Sequence, residues 1–121
     1  MSIVQAELRY LISPDAPDLE HYVPQDPDCF CILVQAIVGP KNQLGEESFD
    51  FLVCTPDWIK RRVQEEGYLL SRHYLILPLY NYNRLFQIIK DLCERTQGPD
   101  WNTVATRLGC YGLWEFEDYT Y

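Results

Sequence analysis

Gly45 to Ile59, GEESFDFLVCTPDWI, constrains the fold more than any other stretch, because an acidic turn, a strand and a helix start follow one another without a break. Phe49, Phe51 and Val53 fall on one side of a period-two run, with Leu52 and Cys54 on the other. A strand that is apolar on both sides is expected to be covered on both, which places it centrally in a sheet. Thr55 then stands where a hydroxyl caps a helix, Pro56 where a missing N–H costs nothing, and Asp57 in the electropositive first turn. Trp58, Ile59 and Val63 form an apolar stripe that is expected to fold back over the strand and bury Trp58, with Gly67 as the stop.

The segments on either side extend this pattern. Val4, Ala6, Leu8 and Tyr10 alternate with Gln5, Glu7 and Arg9 between Ile3 and Ile12, which reads as an edge strand with one wet face. Ser13 to Pro27 gathers four prolines and several carboxylates, so an acidic loop is expected there, pinned by Leu19, Tyr22 and Val23. CFCILVQAIV, Cys29 to Val38, is nearly all apolar and ends at Gly39-Pro40, the signature of a strand buried on both faces. The short link from Lys41 to Gly45 permits only an antiparallel pairing with the strand that follows. His73 to Leu79 reads as a short strand ending near Pro78. Tyr82, Leu85, Phe86, Ile89, Leu92 and Cys93 recur at helical spacing after an Asn81 cap, and Gly98-Pro99 ends that helix. Asp100 caps a shorter helix carrying Trp101, Val104, Ala105 and Leu108, closed by Gly109. In the closing YGLWEFEDYTY, Trp114 and Phe116 are expected to face inward while Glu115 and Glu117 face out. The fold class is therefore α+β, a mostly antiparallel sheet with about three helices packed on one side.

A chain of 121 residues holds one packed core, so a single domain over residues 1–121 is expected. Its net charge of −8 repels phosphate backbones and anionic lipid, which argues against nucleic-acid and membrane binding and for a basic partner. The N-terminal MSIVQAELRYLI lacks the charged, apolar and small-residue zones of an export signal, so a cytoplasmic location is expected. Cys29, Cys31, Cys54, Cys93 and Cys110 are scattered and lack the spacing of a zinc site. They read as reduced structural thiols, with no metal and no cofactor expected.

Catalytic groups are sparse. His21 lies among carboxylates in the proline-rich loop, His73 follows Arg72 at a strand start, and the glycines lack the spacing of a phosphate-binding loop. The chain is therefore not expected to be an enzyme. The alternative is a small enzyme or ligand-binding domain built on Arg72, His73 and the nearby tyrosines. Ser13-Pro14-Asp15, Val38-Gly39-Pro40, the block GEESFDFLVCTPDWI, Arg72 to Ile76, Tyr80-Asn81-Tyr82, Trp101 and WEFEDY at Trp114 to Tyr119 together resemble the immunity protein 8 family of bacterial polymorphic toxin systems. Cys29, Cys31 and Cys110 fall outside that pattern. The resemblance implies an α+β fold and a cytosolic antidote that binds the C-terminal domain of a cognate toxin and keeps it inactive. The acidic charge points to a toxin with a basic cleft, such as a nuclease. The partner-binding surface is expected at two acidic clusters on strands flanking the sheet: Glu46, Glu47 and Asp50 in one, and Glu115, Glu117 and Asp118 with Tyr119 and Tyr121 in the other.

Overall fold

A computed structural model describes residues 3–117. Its elements are β1 (Val4–Ile12), β2 (Cys31–Pro40), β3 (Glu47–Cys54), α1 (Pro56–Glu66), β4 (Tyr74–Ile76), α2 (Tyr82–Glu94), β5 (Gln97–Gly98), α3 (Trp101–Leu108) and β6 (Leu113–Trp114). The strands form one sheet in the order β4-β3-β2-β1-β5, with β6 added to β3 at the end that β4 leaves free. Pairing is antiparallel except between β3 and β4, where α1 supplies the crossover that a parallel pair requires. The fold is α+β, as the patterning predicts.

The β2–β3 hairpin is its centre. Eight consecutive pairs run from Cys31↔Cys54 to Val38↔Glu47. Ile32, Val34, Ala36 and Val38 of β2 and Phe49, Phe51 and Val53 of β3 point to one face, where α2 and α3 cover them with Leu85, Ile89, Val104 and Leu108. Burying a side chain such as Phe49 completely is worth about 2–3 kcal/mol, so this layer supplies most of the stability. Both helices start as predicted: the Asn81 and Asp100 side chains accept from the amides of Arg84 and Thr103. Gly39 is held by the hairpin itself, since a Cβ there would lie 2.0 Å from the Gly45 carbonyl oxygen.

Several expectations are corrected. β2 is not buried on both faces: Cys31, Leu33, Gln35 and Ile37 are only half-buried, because the helices that cover the sheet, α2 and α3, lie on the other side. β1 does not keep one alternation; a bulge between Leu8 and Tyr10 reverses its phase, so Leu11 is buried and Tyr10 exposed. β1 is also paired on its outer side through Val4 and Gln5, so only the rest of it is an edge. Val23 is 80% exposed and does not pin its loop, while Leu19 and Ala16 do. The Thr55 hydroxyl does not cap α1; it accepts from the Phe30 amide, tying the start of β2 to the end of β3. α1 buries none of its residues, and Trp58 is half-buried against the Tyr74 ring, 6.2 Å away. Its stripe had too few apolar residues to compete with α2 for the covered face. Gly67 does end α1, in the left-handed conformation with φ 86°.

Candidate partner-binding site

Alternation along β3 separates acids that are neighbours in sequence. Glu47 points to the helix-covered face with Phe49 and Phe51, whereas Asp50 shares the opposite face with Leu52. Glu47 is half-buried, and its two oxygens accept from Trp101 Nε1 at 2.8 Å and Trp114 Nε1 at 2.7 Å. Its carboxylate thus joins β3, α3 and β6. Asp50 Oδ1 accepts from the side-chain Nε2 of Gln35 at 3.2 Å, directly across the β2–β3 pair. Glu46 is exposed and lies 3.5 Å from the Tyr10 hydroxyl.

The second cluster does not sit apart from the first. β6 pairs with β3 through Phe49↔Trp114 and Asp50↔Leu113, and Trp114 stacks on Phe49 with ring centroids 6.4 Å apart. Glu115 Oε1 accepts from the Ser48 amide at 2.8 Å, and the Glu115 amide donates to Ser48 O at 3.1 Å. Glu115 therefore stands beside Asp50 and the end of the hairpin, on an exposed side chain. Glu117 is half-buried and forms an ion pair with Arg72. Of the predicted residues, Glu46, Asp50 and Glu115 share one side of the sheet, and Glu47 and Glu117 make contacts within the fold. Asp118, Tyr119 and Tyr121 lie outside the described residues.

The face that carries Asp50 is the open side of the sheet. Register places Tyr10 and Ile12 of β1, Leu33 and Ile37 of β2, Leu52 of β3 and Leu113 of β6 on it. Tyr10, Ile12 and Leu113 are 45%, 44% and 39% exposed. Reading β2 and β3 as buried on both faces hid this surface. The signal was present in Gln35, Ser48 and Asp50, the polar residues that interrupt two apolar runs on the same side.

Arg72 and His73 serve the fold. His73 has φ 72°, an unfavoured backbone for a residue with a Cβ, and is held there by its carbonyl, which accepts from Leu52 N, and by Nε2, which donates to Gly109 O at 3.2 Å. It lines a cleft of about 230 Å³ with Phe51, Ile88, Arg95, Cys110 and Tyr111. The Tyr80 hydroxyl donates to Leu19 O, and burial pushes its pKa up to about 12, with the charges of Tyr82, Tyr22 and Asp18 adding to the effect. Cys31 and Cys54 face each other across β2 and β3. The hydrogen bond between them lowers the Cys31 pKa and raises that of Cys54, and burial raises Cys54 further. Among the described residues no group of three or more His, Cys, Asp and Glu is placed to hold a metal ion. No helix among them is long and apolar enough to cross a membrane.

A family model described as Immunity protein 8 matches residues 6–119. No curated protein and no solved structure matches the chain.

Proposed function

The chain belongs to the immunity protein 8 family, and from that membership we propose that it neutralises its toxin by stoichiometric binding, without catalysis, in the cytoplasm of the producing cell. The family is one of antidotes to toxins, and the partner we propose is the C-terminal domain of a cognate toxin. The carrying observation is the β3–β6 pairing, which sets Glu115, tied to the Ser48 amide, and Asp50 of β3 on the side of the sheet where Glu46 meets Tyr10. Carboxylates held by a sheet lose little entropy on binding, and a chain of net charge −8 draws a basic protein from beyond contact distance. The toxin class this fits is a nuclease, whose lysines and arginines otherwise hold phosphates. Occupying that cleft excludes the nucleic acid. The contacts that Arg72, His73 and Tyr80 make within the fold favour binding over a ligand-binding or catalytic reading of those residues.

The test is association with the toxin domain encoded beside this gene, measured by stopped flow at rising salt. Glu46→Lys combined with Glu115→Lys is expected to slow association about tenfold at low ionic strength and to flatten its salt dependence. Association at the wild-type rate, with full protection of toxin-expressing cells, would refute the electrostatic account.

A further inference from the structure

We propose that the open face of the sheet, with Tyr10, Ile12, Leu33, Ile37, Leu52 and Leu113 at its centre, is the docking surface for the toxin domain, and that the toxin lays apolar side chains on it with a lysine or arginine over Asp50. This rests on the toxin-binding reading and assigns it a surface that charge alone does not select.

An antiparallel sheet commonly leaves one face to water, and that face is then polar. Here it is not. β1, β2 and β3 each contribute apolar side chains to it, and Tyr10, Ile12 and Leu113 keep between 39% and 45% of their surface exposed. α2 and α3 lie on the other side, and α1 borders one end of this one, with Trp58 against Tyr74 and Arg62 near Cys31. The Gln35–Asp50 pair lies in the row between Ile12 and Leu113, so exposed apolar side chains flank a polar centre, and exposed apolar area rimmed by polar groups marks an interaction site.

Charge decides the occupant. Asp50 lies within the apolar strip, and Glu46 and Glu115 stand at its border. Asp15 stands at the other end of β2, where its Oδ2 accepts from the Leu33 amide at 2.8 Å. Two cations stand near this face: Arg9 is bound to Glu7 and to the carbonyls of Pro40 and Gln43, and Arg62, near Cys31, is paired with Glu66. A second copy of this chain would set these carboxylates against their equivalents across a two-fold axis, where like charges repel. A basic partner meets no such cost. Asp50 sharpens the requirement, because covering a carboxylate is strongly unfavourable unless a cation is brought to it. The strip spans only three strand spacings, roughly 14 Å, so it makes the core of an interface, with Asp50 inside it and Glu46 and Glu115 on its rim.

The experiment is calorimetric binding to an inactivated form of the toxin C-terminal domain encoded beside this gene. Ile12→Lys combined with Leu113→Lys is expected to weaken binding at least about thirtyfold, with the circular dichroism and denaturation midpoint retained. Leu70→Lys with Leu79→Lys, exposed apolar residues in the connections around β4, is expected to change it less than about twofold. Tyr10→Ala with Ile12→Ala, which only truncates, gives the same ranking if the lysine variant does not fold. Wild-type affinity in every folded face variant overturns the proposal while leaving toxin binding intact. A wild-type chain that sediments as a dimer, and becomes a monomer in these variants, overturns it in favour of a second copy. Failure of the wild-type chain to bind the domain overturns the toxin reading, and this surface with it.

Discussion

Glu47→Gln preserves the shape of the side chain while replacing one acceptor oxygen with a donor. In the wild-type protein the two carboxylate oxygens accept from Trp101 and Trp114, at 2.8 and 2.7 Å. The amide oxygen keeps one of these bonds, now to a neutral acceptor, and the NH₂ group faces the other indole N–H donor to donor. A hydrogen bond to a charged group contributes about 1.5–3 kcal/mol and a neutral one about 0.5–1.5 kcal/mol. Losing the first and weakening the second sums to about 2.5–4.5 kcal/mol, and the half-exposed site lets water recover part of it. The expected loss is about 2 kcal/mol. Urea unfolding followed by tryptophan fluorescence should show a midpoint lowered by about 1 M at an unchanged slope near 2 kcal/mol/M. Double-mutant cycles of Glu47→Ala with Trp101→Phe and with Trp114→Phe should each give a coupling of about 1 kcal/mol. A loss below about 0.5 kcal/mol together with couplings near zero would show that the carboxylate does not tie the three elements together.

Trp58→Ala should cost about 1–2 kcal/mol rather than the ~3–5 kcal/mol of a fully buried tryptophan, because α1 buries none of its residues; a larger loss in chemical denaturation would contradict this placement. Alkylation of the native protein followed by mass spectrometry should label the exposed Cys110 and, at lower pH than an ordinary thiol, Cys31, while Cys54 and Cys93 react only on unfolding. Burial pushes Cys93 up to about 12, with Glu94 adding, and labelling of Cys93 in the folded state would refute the assignment. The raised pKa of Tyr80 means that the folded state holds this proton more tightly than the unfolded one. Its contribution is complete below pH 10 and is lost as pH rises from about 10 towards 12. Tyr80→Phe should be less stable at neutral pH and show a shallower alkaline decline, measured by denaturation midpoints across that range.

Local chemistry was legible where one segment determines its own structure. Asn81 and Asp100 cap their helices through the expected oxygens, Gly67 ends α1, and the short Lys41 to Gly45 link produces the antiparallel β2–β3 pair. What failed depended on partners distant in the chain. The apolar period of β2 specifies the phase of Leu33 and Ile37 but not whether a helix is laid over them. The Thr55 hydroxyl had two uses, and the amide of Phe30, brought beside it by the hairpin, won over the turn of α1. The bulge in β1 reverses which of Tyr10 and Leu11 is buried, and no residue there announces it. For the site, the acids were visible but their grouping was not. Glu115 and Ser48 are separated by 67 residues, and only their pairing makes the two clusters one.

That pairing couples the covered face of the sheet to the open one. β6 has two residues, too few to hold its register by backbone bonds alone. Three contacts on the covered side place it: Trp114 stacked on Phe49, the Glu47 carboxylate on the Trp114 indole, and Gly112, where a Cβ would fall 2.7 Å from the Phe51 ring. Leu113 and Glu115, on the open side, take their positions from Trp114 between them together with the Glu115–Ser48 hydrogen bonds. A Glu47→Gln protein that stays folded is therefore expected to bind the toxin more weakly through the placement of β6. Amide hydrogen exchange separates this indirect effect from a direct one. If the positioning argument is right, the amides of Ser48 and Glu115, which close the β3–β6 pair, exchange faster in the variant than in the wild type, while those of the β2–β3 hairpin do not. Weakened binding with unchanged exchange at Ser48 and Glu115 would mean that Glu47 itself meets the toxin.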